Sequence, residues 1–102
     1  MAVIYIAGPM SGYPDFNRTA FAMTATNLAA KGHTVLNPAL LPDGLAYEQY
    51  MDIALAMLRC ADTIWFLDNW EHSTGAQAEH AVADALGLEI YTPESRKGGA
   101  SC

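Results

Sequence analysis

Apolar residues in this chain fall into two patterns: short unbroken runs, and longer stretches spaced three and four apart. Val3 to Ala7 is an unbroken run closed by Gly8-Pro9, which predicts a strand buried on both faces. After a loop of turn formers through Asp15, Phe16 to Lys31 puts Ala20, Phe21, Thr24 and Leu28 on one helical face, with Lys31-Gly32 as the stop. Gly32 to Leu36 predicts a second strand ended by Asn37-Pro38, and a loop with two prolines runs to about Ala46. Tyr47 to Cys60 is helical again, its stripe made of Tyr50, Ile53, Ala54, Met57 and Leu58. Asp62 to Asp68 predicts a third strand with an acid at each end. A polar loop, Asn69 to Gly75, follows. Thr74 and Gln77 then fit a capping box that opens a helix through about Leu86. Gly87 stops that helix, and Leu88 to Tyr91 predicts a fourth strand. Residues 92–102 show no periodicity and are expected to form a flexible tail.

The resulting order, β-α-β-α-β-α-β, has short buried strands and helices long enough to cross over them. Right-handed crossovers then predict an α/β, three-layer, Rossmann or flavodoxin-like domain over residues 1–91. Its parallel sheet has four strands in the order 2-1-3-4, with helices on both faces. In that order the crevice lies at the carboxyl ends of strands 1 and 3. Functional groups are therefore expected in the loop after Ala7 and the loop after Leu67.

Composition narrows the partners. One domain of 102 residues buries about 60–70% of its unfolded surface, so its stability is expected to lean on self-association, as a homodimer or larger. Five basic side chains stand against eleven acidic ones, for a formal charge of −6. Such a surface repels phosphate backbones, and polymeric nucleic acid is not an expected partner. No apolar stretch approaches the roughly 20 residues that span a bilayer, and the N-terminus lacks the basic residues of a signal peptide, so the expected location is cytoplasmic, away from membranes. Cys60 and Cys102 set no disulfide or zinc pattern. Cys60, in an apolar-periodic segment, is expected as a small buried hydrophobe. His33, His72 and His80 have no ligand spacing, and neither a metal nor a cofactor is expected.

The two loops carry the candidate chemistry. Gly8 and Gly12 have GxxxG spacing, with no dinucleotide fingerprint and no P-loop Lys-Ser/Thr, so the first loop reads as a weak phosphate cradle or as a simple connection. In the second loop Asp68 is expected at the crevice, and Ser73 and Thr74 sit beside a helix N-terminus, where hydroxyls and free amides favour an anion. Glu79 falls on the second turn of that helix among small residues, Ala76, Ala78, Ala81 and Ala83. There it is either an ordinary helix-start glutamate or an accessible carboxylate, ionised near the positive helix end and suited to act as a nucleophile. Trp70 fits either a base-stacking surface or a plug on the core.

Several strings taken together resemble a family of small uncharacterised proteins common in phages and bacteria. They are Tyr5-Ile6-Ala7-Gly8-Pro9-Met10-Ser11-Gly12 with Asn17 and Phe21, then Gly32-His33, Asn37-Pro38, Tyr50-Met51 and Cys60-Ala61-Asp62. The last is Trp70-Glu71-x-Ser73-x-Gly75-Ala76-x-x-Glu79. That family is distantly similar to nucleoside 2-deoxyribosyltransferases and to 2′-deoxynucleoside 5′-monophosphate N-hydrolases. The resemblance implies that Glu79 attacks the sugar C1′ to form a glycosyl-enzyme, that Tyr5 at the end of strand 1 contacts it, and that the loop from Gly8 through Pro9 and Met10 to Gly12 closes around sugar and base. Trp70, Ser73, Thr74 and Gly75 are the candidate substrate-binding residues of the second loop, and the resemblance implies that a neighbouring subunit completes the site.

Two positions depart from the transferases. Six residues before the glutamate they carry an aspartate for the sugar hydroxyls, whereas Ser73 stands here, as in the monophosphate N-hydrolases. A hydroxyl suits a 5′-phosphate that an aspartate would repel. Eight residues before Asp62 the enzymes carry an aspartate that handles the leaving base's proton, and here that position is Ala54. Retaining glycoside chemistry uses two carboxyl groups about 5 Å apart. With Glu79 as one, the other is expected to be Asp68 or, with a rotated helix, Asp52. Three functions stay open: a transferase or hydrolase acting as an N-glycosidase on deoxynucleosides or their 5′-monophosphates; a nucleotide-binding sensor or sequestering protein without turnover; and an interaction domain with a vestigial crevice.

Overall fold

The structure, a computed structural model, describes residues 1–99. Four parallel strands, β1 (Val3–Ala7), β2 (Thr34–Leu36), β3 (Thr63–Phe66) and β4 (Glu89–Tyr91), form one sheet in the order β2-β1-β3-β4. Three helices of 13 residues connect them: α1 (Arg18–Ala30), α2 (Tyr47–Arg59) and α3 (Thr74–Leu86). This is the doubly wound, flavodoxin-like arrangement expected from the order of elements, with crossovers that place helices on both faces.

β1 shows why its run is apolar throughout. Tyr5 and Ala7 face the core under α2 and α3, which also holds Ala54, Leu58, Ile64, Phe66, Ala76 and Ala83. Ile4 and Ile6 face the opposite core with Phe21 and Leu28 of α1, Ala39 and Leu67. Alternate side chains of one strand thus fill two cores. Asp62, just before β3, is tied structurally: its Oδ2 accepts from the Val3 amide at 3.0 Å and its Oδ1 from the Thr63 hydroxyl at 2.8 Å. These bonds hold the Asp62 carboxyl below its ordinary range.

Four expectations need correction. α1 starts at Arg18, not Phe16, because Asp15, Phe16 and Asn17 all adopt left-handed backbone (φ 49°, 53° and 62°), which no right-handed helix accommodates. α3 is capped one residue earlier than expected, by Ser73, whose extended backbone lets its Oγ accept from the Ala76 amide at 3.2 Å. Cys60 is exposed at the C-terminal cap of α2, where the helix ends before its stripe can turn inward again. The expected tail is helical over α4 (Pro93–Gly99), and positions 100–102 of that tail lie outside the described residues. Thr92 and Ser95 cap α4 reciprocally, Thr92 N to Ser95 Oγ at 2.8 Å and Ser95 N to Thr92 Oγ1 at 3.1 Å. Arg96 docks on the sheet, with Cζ 4.3 Å from the Trp65 ring centroid and Nη1 donating to the Phe66 carbonyl at 2.8 Å. No helix among the described residues is long and apolar enough to cross a membrane.

Candidate active site

The site begins with a contact across 74 positions of sequence: the Tyr5 hydroxyl donates to Glu79 Oε2 at 2.5 Å. Tyr5 sits at the middle of β1, not at its end as expected, because the strand runs on to Ala7, and Glu79 lies on the second turn of α3. The small residues Ala76 and Ala83 let α3 lie close to the sheet, which brings the glutamate onto the tyrosine. That close packing buries Glu79 to 6% exposure. Desolvation pushes its carboxyl up from 4.5 to about 7, against the pull of the Tyr5 hydrogen bond. The expectation of a fully ionised, accessible carboxylate is corrected: burial outweighs the helix end, and near pH 7 the ionised and neutral forms coexist. Tyr5 is driven well above its ordinary value by its own burial and then by the charge of Glu79.

Tyr5 and Glu79 lie on the wall of a cavity of about 820 Å³, a size suited to a small organic ligand. Three segments enclose it. The loop after β1 and the first turn of α1 contribute Gly8, Pro9, Met10, Arg18 and Phe21. Gly8 is required sterically, since a Cβ there would stand 2.8 Å from Leu67 Cβ. Asn17 Nδ2 fixes the loop by donating to the Pro9 carbonyl at 3.0 Å. The start of α3 contributes Ser73, Thr74, Gly75 and Ala76 beside Glu79. The third wall, Pro38 to Met51 with Ala54, comes from the loop after β2 and the first turns of α2. Tyr50 braces that loop by donating to the Pro42 carbonyl at 2.6 Å.

Placement separates the expected site residues. Tyr5, Gly8, Pro9, Met10, Ser73, Thr74, Gly75 and Glu79 share the cavity. Gly12 lies beyond it, at φ +81°, where the loop turns and a side chain would be strained. Asp68 is not on this cavity. β3 ends at Phe66, left-handed Asn69 turns the chain (φ 66°), and Asp68 opens onto a depression on the α1 side with Asn17, Asn27 and Arg96. Asp52 is exposed on the outer face of α2, while Ala54 and Leu58 form the inner one. Neither aspartate flanks Glu79. Trp70 is a plug: its ring packs 4.4 Å from Phe66 and stacks on His80 at 5.1 Å, with Nε1 buried and unpartnered. The third wall lies outside the two loops expected to carry function; its signals in the sequence are Tyr47, Tyr50 and the Asn37-Pro38 turn. Among the described residues no three His, Cys, Asp or Glu side chains gather as a metal site.

Residues 2–92 match the family described as Domain of unknown function (DUF4406), and the chain belongs to it. A search of curated proteins finds no match. Among solved structures, the chain is similar to a 2-desoxiribosyltransferase from Leishmania mexicana, with a TM-score of 0.72 and 23% identity. The likeness covers 90% of this chain and 63% of that one. The chain thus spans less than two thirds of that enzyme's length, and the likeness is one of fold.

Proposed function

We propose that the protein cleaves or transfers the N-glycosidic bond of 2′-deoxynucleosides or their 5′-monophosphates, with Glu79 as nucleophile. The observation that carries this is the Glu79 carboxyl, which lines a ligand-sized cavity and is held by the Tyr5 hydroxyl. The fold likeness to the 2-desoxiribosyltransferase supports it. In this mechanism ionised Glu79 attacks C1′, and the C1′–N bond breaks with its electron pair going to the base. Water or a second base then attacks C1′ and releases the glutamate. Tyr5 orients Glu79 and favours its ionised form. Ser73 uses a lone pair on the Ala76 amide, which leaves its proton free to donate to a sugar or phosphate oxygen. A second copy of the chain completes the open side of the cavity.

Ala54 favours a second reading. It is buried on the cavity wall, where the resemblance calls for an acid, so no carboxyl there protonates the departing base. A nucleotide-binding protein without turnover fits that wall. Assaying free-base release from each deoxynucleoside and its 5′-monophosphate, beside Glu79→Gln, separates the two. Release abolished by the substitution supports catalysis. Release that survives it removes Glu79 as nucleophile, and saturable binding without release supports the binder.

A further inference from the structure

Arg18 is the one lysine or arginine lining the cavity among the described residues. Lys31 and Arg59 close the far ends of α1 and α2, and Arg96 lies on the other face of the sheet over Trp65. In a chain with a formal charge of −6, positive charge at the crevice rests on this side chain.

Its surroundings are built. Arg18 Nη1 donates to Asp15 Oδ1 at 2.9 Å, Nη2 donates to Asp43 Oδ1, and Cζ sits 5.2 Å from the Phe16 ring centroid. Asp15 belongs to the loop after β1 and Asp43 to the loop after β2, so the guanidinium joins two cavity walls. The left-handed run Asp15-Phe16-Asn17 immediately precedes it. That conformation is uncommon for an aromatic residue, and Phe16 adopts it while half exposed. Both carboxylates are open to solvent, at 70% and 73% exposure, whereas Arg18 is at 32%. Exposed pairs of this kind add little stability, so stability alone does not account for the arrangement. Asp43 itself lines the cavity, and its carboxylate marks an anion position there. Asp43 holds Nη2 alone, and a phosphate oxygen can take that charged donor in its place.

We propose that Arg18 is the ligand for an anionic group of the substrate, the phosphate of a nucleotide, which takes the guanidinium from Asp43 on entering. This deepens the function proposed above and rests on it: the preferred substrate is the nucleotide, not the nucleoside. The singly charged Asp43 carboxylate turns into solvent and yields Nη2 to the doubly charged phosphate, while Asp15 keeps Nη1. A free nucleoside leaves the Arg18–Asp43 pair in place and gains nothing from it.

Calorimetric titration tests this, with deoxynucleoside 5′-monophosphates and the matching deoxynucleosides, in a Glu79→Gln background that prevents turnover. Arg18→Gln is expected to weaken nucleotide binding about tenfold or more and to leave nucleoside binding within about twofold. Intact nucleoside binding also shows that the variant is folded. Asp43→Asn is expected to tighten nucleotide binding about two- to fivefold, because the competitor is gone. Arg18→Gln weakening both ligands equally or neither, or Asp43→Asn weakening the nucleotide, overturns the inference and leaves the glycoside proposal standing. If neither ligand class binds the parent protein, the glycoside proposal falls, and the inference with it.

Discussion

Glu79→Gln should change the protein's stability in a pH-dependent way, and the structure sets the size of the change. Glutamine is nearly isosteric and can accept the Tyr5 hydrogen bond, so the substitution mainly removes an ionisable group. In the unfolded chain the carboxyl titrates near 4.5; in the folded one burial moves it to about 7. A carboxyl raised on folding contributes its full stability below 4.5, where both states are protonated. That contribution is lost as pH rises through the interval to 7, because the unfolded state gains more from ionising. The full loss is about 3 kcal/mol. Wild type should therefore lose about 2.5 kcal/mol relative to Glu79→Gln between pH 5 and pH 8. Urea unfolding of both proteins at those two pH values measures the difference. A stability gap that is the same at both pH values would refute a buried carboxyl that titrates near neutrality.

Two further outcomes follow from the same site. Tyr5→Phe removes the hydrogen bond that favours ionised Glu79, so the acidic limb of the pH–rate profile, expected near 7, should move up by about a unit or more; an unmoved limb would mean that Tyr5 does not tune Glu79. On the proposed mechanism Ala54→Asp supplies a carboxyl on the cavity wall that can protonate the leaving base, and base release should rise by about 10²- to 10⁴-fold. A folded Ala54→Asp protein with unchanged turnover would mean that proton delivery is not what limits it.

The fold was legible because strand burial and helical spacing write themselves directly into residue order: the unbroken run Val3–Ala7 needs a core on both faces, and it has two. The pairing of Tyr5 with Glu79 came from resemblance, not from spacing, since nothing local joins residues 74 apart. Strict alternation along β3 would aim Asp68 at the α2 and α3 side, but the strand ends at Phe66 and Asp68 falls in the turn that follows, opening onto the α1 side. In sequence the position of Glu79 near the positive end of α3 points to an ionised group, and the small residues around it point to access. They act the other way, drawing α3 onto the sheet and burying the carboxyl. Asp43 lies in a loop without periodicity and Arg18 at the very start of α1, and only the folded chain brings their side chains together.

The central claim is that Glu79 forms a bond to the sugar. Acid-quenching the protein during turnover of a 2′-deoxynucleoside 5′-monophosphate, followed by peptide mass spectrometry, tests it directly. The account predicts a deoxyribosyl-phosphate mass on the peptide carrying Glu79, absent from Glu79→Gln. Base release with Glu79 unmodified throughout, or an adduct on any other residue, would contradict it.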